Sequence, residues 1–357
     1  MTIPILAPDL LSRLQTPMPD GFVLRLKTLT PLYTGGIGQL GEQIHPSNLL
    51  GGLRHMSCLV ARTLGDANFE EIVWGNPGDH GRKAKAKQIG LHWNAKDLKP
   101  TDLPREISFK RDAGKLSRWW FNAAFEGDLS LQITQCGISQ AHWHILMIAL
   151  AIQLRRGSFG SKDQFGLGVL TQSDKTAFCD PLDTERVWPQ TVPALAGKLN
   201  LMRYAFGGLQ FRPIVGKKPI LSTGAGLKLA LATRVTLRNA LRAKPDAPEP
   251  EIARLTQLRH RMLGSLNEAG SAVNVSAAYE VDGIPTLRIA VALKPETPAE
   301  RMEVMKAFST AFNAFSDMDN MIEPTGYRID TASKWEFGGS QANNRAAWLN
   351  KLAGVGQ

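Results

Sequence analysis

One segment of the chain combines glycine, basic and aromatic residues in a pattern that suits contact with a nucleic acid. Residues 155–168 read Arg-Arg-Gly-Ser-Phe-Gly-Ser-Lys-Asp-Gln-Phe-Gly-Leu-Gly, between a predicted helix and a predicted strand. Glycine lets backbone N–H groups approach a phosphate, a cation neutralises its charge, and an aromatic ring stacks on a base. This segment, the glycine loop, is predicted to contact RNA, against the alternative of a plain flexible surface loop. The predicted contact residues are Arg155, Arg156, Gly157, Ser158, Phe159, Gly160, Lys162, Phe165, Gly166 and Gly168.

The net charge of the chain also favours a polyanionic partner. There are 42 Lys and Arg residues against 32 Asp and Glu, which gives a formal charge of +10, and the sequence pI is near 9.6. Such a field attracts polyanions more than it attracts acidic proteins or neutral metabolites. Residues 82–118 hold eleven basic and four acidic residues, and Trp119-Trp120-Phe121 follows them. RNA contact is predicted here for Lys110, Arg111 and Arg118, with a solvated charged face as the alternative.

No pattern of residues indicates a catalytic, metal or cofactor site. Gly36-Ile-Gly-Gln-Leu-Gly41 has the spacing of a dinucleotide fingerprint, but the next predicted helix starts at Pro46, too late to hold a pyrophosphate. His142 and His144 are two residues apart on a predicted helix, so they diverge by about 200° and are assigned structural roles. His45 has the chemistry of a general base, although capping or packing is the favoured role. We therefore predict no catalytic residue, no metal and no cofactor.

Length and composition indicate a folded chain of two domains. At 357 residues, with 43% hydrophobic and 21% charged residues, the chain exceeds the usual 100–200 residues of one domain. The cysteines Cys58, Cys136 and Cys179 are widely spaced, which fits a reducing compartment. Neither a signal peptide nor a membrane span is recognised. The expected location is cytoplasmic, with no membrane partner.

Hydrophobic periodicity predicts the order β-α-β-β-α-β in the first half. Residues 66–104 lack clear periodicity and are interpreted as an insertion. The predicted strands are 22–32, 106–110, 128–134 and 166–170, and the predicted helices are 46–64 and 139–156. A ferredoxin-like unit of this order covers one sheet face with helices and leaves the other face free.

The same order is predicted to return in the second half. Asp282-Gly283 between two alternating runs is a strong hairpin signal. The predicted strands are 227–237, 276–281, 286–293 and 327–331, and the predicted helices are 251–266 and 300–315. The fold class is therefore α+β with two tandem ferredoxin-like, RRM-like domains, 1–172 and 201–357, joined by a linker over 173–200.

The predicted sheet of the first half differs from that of an ordinary RNA-recognition motif. Its third strand, residues 128–134, carries no aromatic at the positions that would stack on bases. RNA contact is therefore expected from the loops and the first helix. At the start of that helix the predicted contact residues are His45, Ser47 and Asn48, and Arg54 follows on the same helix.

Three ordered motifs give the chain a family resemblance. They are Thr30-Pro-Leu-Tyr-Thr-Gly-Gly36, Pro46-Ser-Asn-Leu-Leu-Gly-Gly-Leu-Arg54 and Phe165-Gly-Leu-Gly168. Together they resemble the RAMP superfamily of CRISPR-Cas proteins, and within it the first Cmr subunits of type III-B effector complexes. The second half adds Arg259-His-Arg-Met-Leu-Gly264 and Ala269-Gly-Ser-Ala-Val-Asn-Val-Ser276.

This resemblance implies a RAMP protein with two ferredoxin-like domains and no cofactor. It implies a non-catalytic RNA-binding subunit of a Cmr ribonucleoprotein in antiviral defence, which holds the 3′ region of the crRNA and helps admit target single-stranded RNA. Its partners would be both RNAs and other Cmr-type RAMP subunits. RNA contact carries over to Arg54 and to residues 155–168. Two alternatives stay open: a metal-independent RAMP endoribonuclease that processes guide RNA with His45 as base, and a scaffold that meets only proteins.

Overall fold

A computed structural model of the chain describes twelve stretches of residues. They are 21–35, 44–63, 66–78, 83–101, 110–111, 115–116, 124–160, 166–173, 204–264, 271–292, 297–313 and 321–330. The predicted linker, residues 173–200, lies almost wholly outside them, so the domain boundaries stay a prediction.

A four-stranded antiparallel sheet and two helices form the first part of the fold. The elements are β1 (Gly21–Thr28), α1 (Pro46–Thr63), β2 (Ile89–Asn94), β7 (Asp128–Gln135), α2 (Gln140–Arg156) and β8 (Leu170–Gln172). The strand order is β2-β7-β1-β8, with β1 and β7 at the centre. Two further pairs of short strands accompany this sheet: β3 (Lys99–Thr101) with β6 (Ala124–Glu126), and β4 (Lys110–Arg111) with β5 (Lys115–Leu116).

Alternation along the central strands builds the core of this part. Leu24 and Leu26 of β1 and Leu131 of β7 are fully buried and point to the helices, while the residues between them face outward. Both helices lay apolar residues on that face. Helix α2 contributes Trp143, which is fully buried, and begins with Ser139 as its cap, whose side chain accepts from the His142 backbone N–H at 3.2 Å.

The structure corrects the interpretation of residues 66–104 as an insertion. They supply β2, which pairs with β7 and completes the sheet, and a π-helical turn at Glu70–Trp74. Ile89 and Trp93 of β2 are buried. The period of two was present in Ile-Gly-Leu-His-Trp-Asn, but the basic and polar residues around it hid the strand.

Two predicted strands of the first half are also corrected. Of the strand predicted at 106–110, only Lys110 lies among the described residues, and there it belongs to the short β4–β5 pair and not to the main sheet. The last strand begins at Leu170, four residues later than predicted. Positive φ values of 89° at Gly166 and 82° at Gly168 are incompatible with a regular strand.

The second part of the fold has a similar sheet and three helices. The elements are β9 (Tyr204–Pro213), α3 (Thr223–Ala240), α4 (Glu249–Leu263), β10 (Val273–Val275), β11 (Tyr279–Val281), β12 (Ile284–Ala292), α5 (Pro298–Asn313), a 3-10 turn (Glu323–Thr325) and β13 (Tyr327–Ile329). The strand order is β10-β12-β9-β13, and β11 also pairs with β12. Every pairing in both sheets is antiparallel, which confirms the α+β class.

The strand predicted at 227–237 is wrong, because these residues lie inside helix α3. Leu-Lys-Leu-Ala-Leu-Ala alternates locally, but Gly226, Leu229, Thr233 and Leu237 are buried at helical spacing. The first strand of this half is β9, in a segment for which no strand is predicted from the sequence. Compared with the order β-α-β-β-α-β, the second half has one additional helix, α4, and one additional strand, β11.

The Asp282-Gly283 hairpin is confirmed. Tyr279 pairs with Thr286 and Val281 with Ile284, and both turn residues have positive φ, 50° at Asp282 and 78° at Gly283. The predicted helix 300–315 and the last strand are also observed, as α5 and β13.

Candidate nucleic-acid interface

The glycine loop begins where helix α2 ends, and its first aromatic residue is buried. Gly157 follows the helix, and its N–H donates to the carbonyl of Gln153 at 2.9 Å. Phe159 is 1% exposed and meets the Trp93 ring edge to face, with 5.9 Å between centroids. In this structure Phe159 is therefore not placed to stack on a base, and its RNA contact stays a prediction. Its ring fills the core of the first half.

Two glycines of the loop are required by contacts within the protein. The Phe159 N–H donates to the carbonyl of Gly168 at 2.8 Å, and the Gly168 N–H donates to the carbonyl of Pro31 at 2.8 Å. A Cβ atom at Gly168 would overlap the carbonyl oxygen of Phe159, and one at Gly160 would overlap that of Tyr33. Close backbone packing therefore explains these two glycines without a phosphate.

The ends of the glycine loop also contact the second half of the chain. The Ala277 N–H donates to the carbonyl of Gly166 at 2.8 Å, and the Asn274 side-chain amide donates to Ser158 Oγ at 2.7 Å. Nearby, the Arg288 guanidinium donates to the carbonyl of Leu154 at 2.8 Å. The described ends of the loop thus contact residues of both halves of the chain.

The start of helix α1 is tied to the strand end that precedes it. Thr34 Oγ1 accepts from the His45 backbone N–H at 2.8 Å, and the Thr34 carbonyl accepts from the Asn48 side-chain amide. Ser47 and Asn48 are exposed, and the first turn of the helix has no acidic residue. Its backbone N–H groups therefore favour an anion at this end. The His45 carbonyl accepts from the Asn48 backbone N–H at 3.0 Å, immediately before the helix.

The three motifs that carry the family resemblance meet at this place. A Cβ at Gly52 of α1 would come within 3.1 Å of the Ser158 carbonyl oxygen, so the helix packs directly on the glycine loop. The Val169 N–H donates to Thr30 Oγ1 at 2.9 Å, which ties the end of the loop to the first motif. Segments more than a hundred residues apart are thus packed against one another.

Arg54 lies on the exposed side of α1 and shares a carboxylate with a second arginine. Its guanidinium is 2.9 Å from Glu70 Oε1, and that of Arg62 is 3.3 Å from Glu70 Oε2. The Arg54 and Arg62 side chains are 48% and 69% exposed. Exposed pairs of this kind contribute little stability, so Arg54 can exchange Glu70 for a phosphate at little cost.

The same helix buries a thiol whose reactivity provides a test of the structure. Burial, and after it the charge of Glu70, raises the pKa of Cys58 to about 11, whereas Cys136 is exposed. At pH 8, iodoacetamide is therefore expected to alkylate Cys136 well before Cys58, since the thiolate is the nucleophile. Peptide mass spectrometry over time measures both residues in one sample. Equal rates in the folded protein would contradict this packing of α1, and equal rates in urea are the control.

The outer face of the first sheet is polar. The described outward residues of β7 are not aromatic, as predicted: Asp128, Ser130, Gln132 and Thr134. Beside them Arg25 and Lys27 of β1 are exposed. Sequence reasoning found β1 but did not name these two cations, although alternation with the buried Leu24 and Leu26 places them outward.

The remaining predicted contact residues are only partly described. Lys162, Phe165 and Arg118 lie outside the described residues, and for Arg155, Arg156, Lys110 and Arg111 the structure gives only the backbone element. Their RNA contacts stay predictions.

The histidines of α2 have structural roles, as predicted. His142 Nε2 is 2.9 Å from Asp66 Oδ2, and the His144 ring is buried with Nδ1 2.7 Å from the Gln140 carbonyl. Within the described stretches, three or more His, Cys, Asp or Glu side chains are nowhere grouped as metal ligands would be. In the same stretches, no helix has the length and apolar character that crossing a bilayer requires.

No protein-family model and no curated protein matches the chain. Among solved structures, Cmr1 from Pyrococcus furiosus in its apo form is similar over 87% of this chain and 98% of its own, with 12% identity and a TM-score of 0.44. A chain of the type III-B Cmr-beta complex bound to cognate target RNA is similar over 82% and 99%, with 11% identity and a TM-score of 0.45. A chain of the same complex bound to cognate target RNA and AMPPnP, in the presence of single-stranded DNA, is similar over 81% of this chain and 98% of its own. Its sequence identity is 10% and its TM-score is 0.42. Function therefore has to be argued from this chain's own residues.

Proposed function

We propose that the protein is an RNA-binding subunit of a CRISPR-Cas type III-B (Cmr) ribonucleoprotein and that it is not itself an enzyme. The observation that carries the proposal is that the three sequence motifs meet beside the exposed start of helix α1. There the glycine loop packs on helix α1, and the acid-free start of α1 lies beside Thr34.

The proposal includes two tandem ferredoxin-like RAMP domains, 1–172 and 201–357. The strand orders support it, since both sheets place the first strand of their half between the third and the fourth, with the second strand at an edge. In the first half that order is β2-β7-β1-β8, and in the second half it is β10-β12-β9-β13. Helices pack on one face of each sheet, as this unit requires.

In this proposal the protein contacts the sugar-phosphate backbone of the RNA. Arg54, the start of α1 and the basic residues of the glycine loop bind phosphates without reading sequence, and base pairing between crRNA and target supplies specificity. The partners are the 3′ region of the crRNA, the target RNA and neighbouring Cmr-type subunits. Because the Phe159 ring is buried, it is not placed to stack on a base.

Fluorescence anisotropy with single-stranded RNA tests the proposal. Two unrelated sequences of equal length are expected to bind equally, and log K is expected to fall linearly with log salt, by about 0.7 for each phosphate contacted. A peptide nucleic acid of the same base sequence is the matched control, because it lacks phosphates. It is expected not to bind.

The two alternatives predict other results. A scaffold that meets only proteins would show no RNA binding at about 0.1 M salt. A guide-processing enzyme would cut repeat RNA at discrete positions in EDTA, and His45→Ala would abolish the cuts. Either result would overturn the proposal.

A further inference from the structure

The second half of the chain carries a net positive charge. Residues 201–357 have 20 Lys and Arg against 14 Asp and Glu, which is more than half of the total net charge of +10. Part of this charge lies on helix α4, where the arginines fall into two groups with different surroundings.

One group of arginines on α4 is paired within the protein. The Arg254 guanidinium forms two hydrogen bonds of 2.8 Å with Glu303 of α5, and Arg261 lies 3.0 Å from Glu300 of the same helix. Seven residues separate Arg254 and Arg261, so they lie on the same side of α4. These two cations hold α4 against α5.

Arg259 lies on another side of the helix, about 140° around the axis from Arg254. It is half-buried, and its Nε is shielded from solvent with no hydrogen-bond partner in the described part of the chain. Its charged neighbours are Arg238, in the last turn of α3, and Arg242, just after that helix. Burial, and after it the charges of these two arginines, lowers the pKa of Arg259.

The three arginines lack counter-charges in the described part of the chain. No ion pair joins Arg238, Arg242 or Arg259 to any carboxylate there, whereas the carboxylates of α5 are taken by Arg254 and Arg261. The carboxyl end of α3 favours cations and accounts for two exposed arginines. It does not account for a third that is half-buried beside them.

We propose that Arg238, Arg242 and Arg259 form a second phosphate-binding site for single-stranded RNA, at the carboxyl end of α3. Three cations near the carboxyl end of α3, none of them paired with a carboxylate in the described part of the chain, suit a group with several charged oxygens. Each guanidinium can donate two hydrogen bonds to a phosphate. A single carboxylate, such as the one that pairs with Arg254, balances only one of the three charges. The proposal rests on the proposed function, because it takes RNA as the ligand.

The double variant Arg238→Ala, Arg242→Ala tests the site. Both side chains are exposed, so the fold is expected to persist. The probe is labelled polyuridylate of about 20 nucleotides, measured between about 50 and 200 mM salt, and the slope of log K against log salt is expected to flatten by about 1.4. Without RNA, the Tm is expected to equal or exceed that of the wild type, since repulsion around Arg259 is relieved.

The matched control is Lys228→Ala, Lys306→Ala, which also removes two exposed charges. Lys228 lies on α3 itself, about 15 Å along the axis from Arg238. This control is expected to keep the wild-type slope. If both double variants change the slope equally, general charge explains the effect and the site is overturned, while RNA binding by the wild type still supports the proposed function. If the wild type does not bind polyuridylate, the proposed function fails together with the site.

An acidic protein partner is the competing occupant. Polyglutamate is the probe for it, under the same salt conditions. If the Arg238, Arg242 variant loses binding to polyglutamate and keeps the RNA slope, the site belongs to an acidic protein surface and the proposal is wrong.

Discussion

Replacing Gly166 with alanine is expected to destabilise the protein by roughly 2–5 kcal/mol, from a left-handed backbone and an overpacked contact together. The φ angle of Gly166 is 89°, and an added Cβ would overlap the backbone nitrogen of Ala277. That nitrogen donates to the carbonyl of Gly166 at 2.8 Å. The substitution therefore strains the contact between the glycine loop and the second half of the chain.

Gly137 provides a matched control for this experiment. Its φ angle is 90°, and nothing lies within 4 Å of the position that a Cβ would take. Gly137→Ala is therefore expected to cost only the backbone term, about 1–2 kcal/mol. Urea unfolding of the two variants, followed by circular dichroism, compares the two free energies of unfolding. Equal losses would contradict the contact between Gly166 and Ala277.

The result bears on what the glycines of residues 155–168 are for. Sequence reasoning assigned them to the approach of a phosphate, which is one reason for glycine in a basic loop. The structure gives Gly160, Gly166 and Gly168 a second reason, since a Cβ at each would overlap the protein's own backbone. A ligand and a tight protein contact leave the same residue in the sequence, so composition alone cannot separate them.

The parts of the fold that were predicted correctly depend on local signals. Helix α1 begins at Pro46, α2 is capped by Ser139, and the β11–β12 hairpin turns at Asp282-Gly283. Each of these is specified by a few neighbouring residues, whatever the rest of the chain does.

The errors come from segments whose structure depends on distant partners. Strand β2 forms because β7 offers an edge to it, and the buried Trp93 packs against Phe159, which is 66 positions later in the chain. For helix α3 the sequence predicts a strand, because a short apolar run in it fits a period of two residues as well as the period of a helix. Only the packing of Leu229 and Leu237 in the second core decides between the two.

For the candidate site, sequence identified the segments but not their contacts. It named Arg54 without Glu70, because nothing in the sequence shows that the π-helical turn lies against α1. It named Phe159 as an RNA-contact residue, because its packing partner Trp93 lies in the segment interpreted as an insertion. It could not show that Gly52 touches the glycine loop, although that contact is what joins the motifs.

Replacing Arg155, Arg156 and Lys162 together with alanine is expected to weaken RNA binding about a hundredfold at about 0.1 M salt, with the salt slope flatter by about 2. Each cation removed from a phosphate of single-stranded RNA lowers the slope of log K against log salt by about 0.7, so three lower it by about 2. With equal binding of wild type and variant at about 1 M salt, this difference in slope gives a loss of about a hundredfold at about 0.1 M salt. The loss is expected to be the same for unrelated RNA sequences, because a phosphate contact carries no sequence information. Anisotropy titrations at several salt concentrations measure both quantities.

The control for this variant is Lys218→Ala, Lys228→Ala, Lys306→Ala, which removes three exposed charges from the second half. It changes the net charge of +10 by the same amount, so it isolates position from total charge. A hundredfold loss in both variants would mean that the field of the whole protein binds RNA, with no role for the glycine loop. A loss confined to some RNA sequences would mean that the loop reads bases. Since Phe159 is buried, such base reading would have to come from side chains other than this ring.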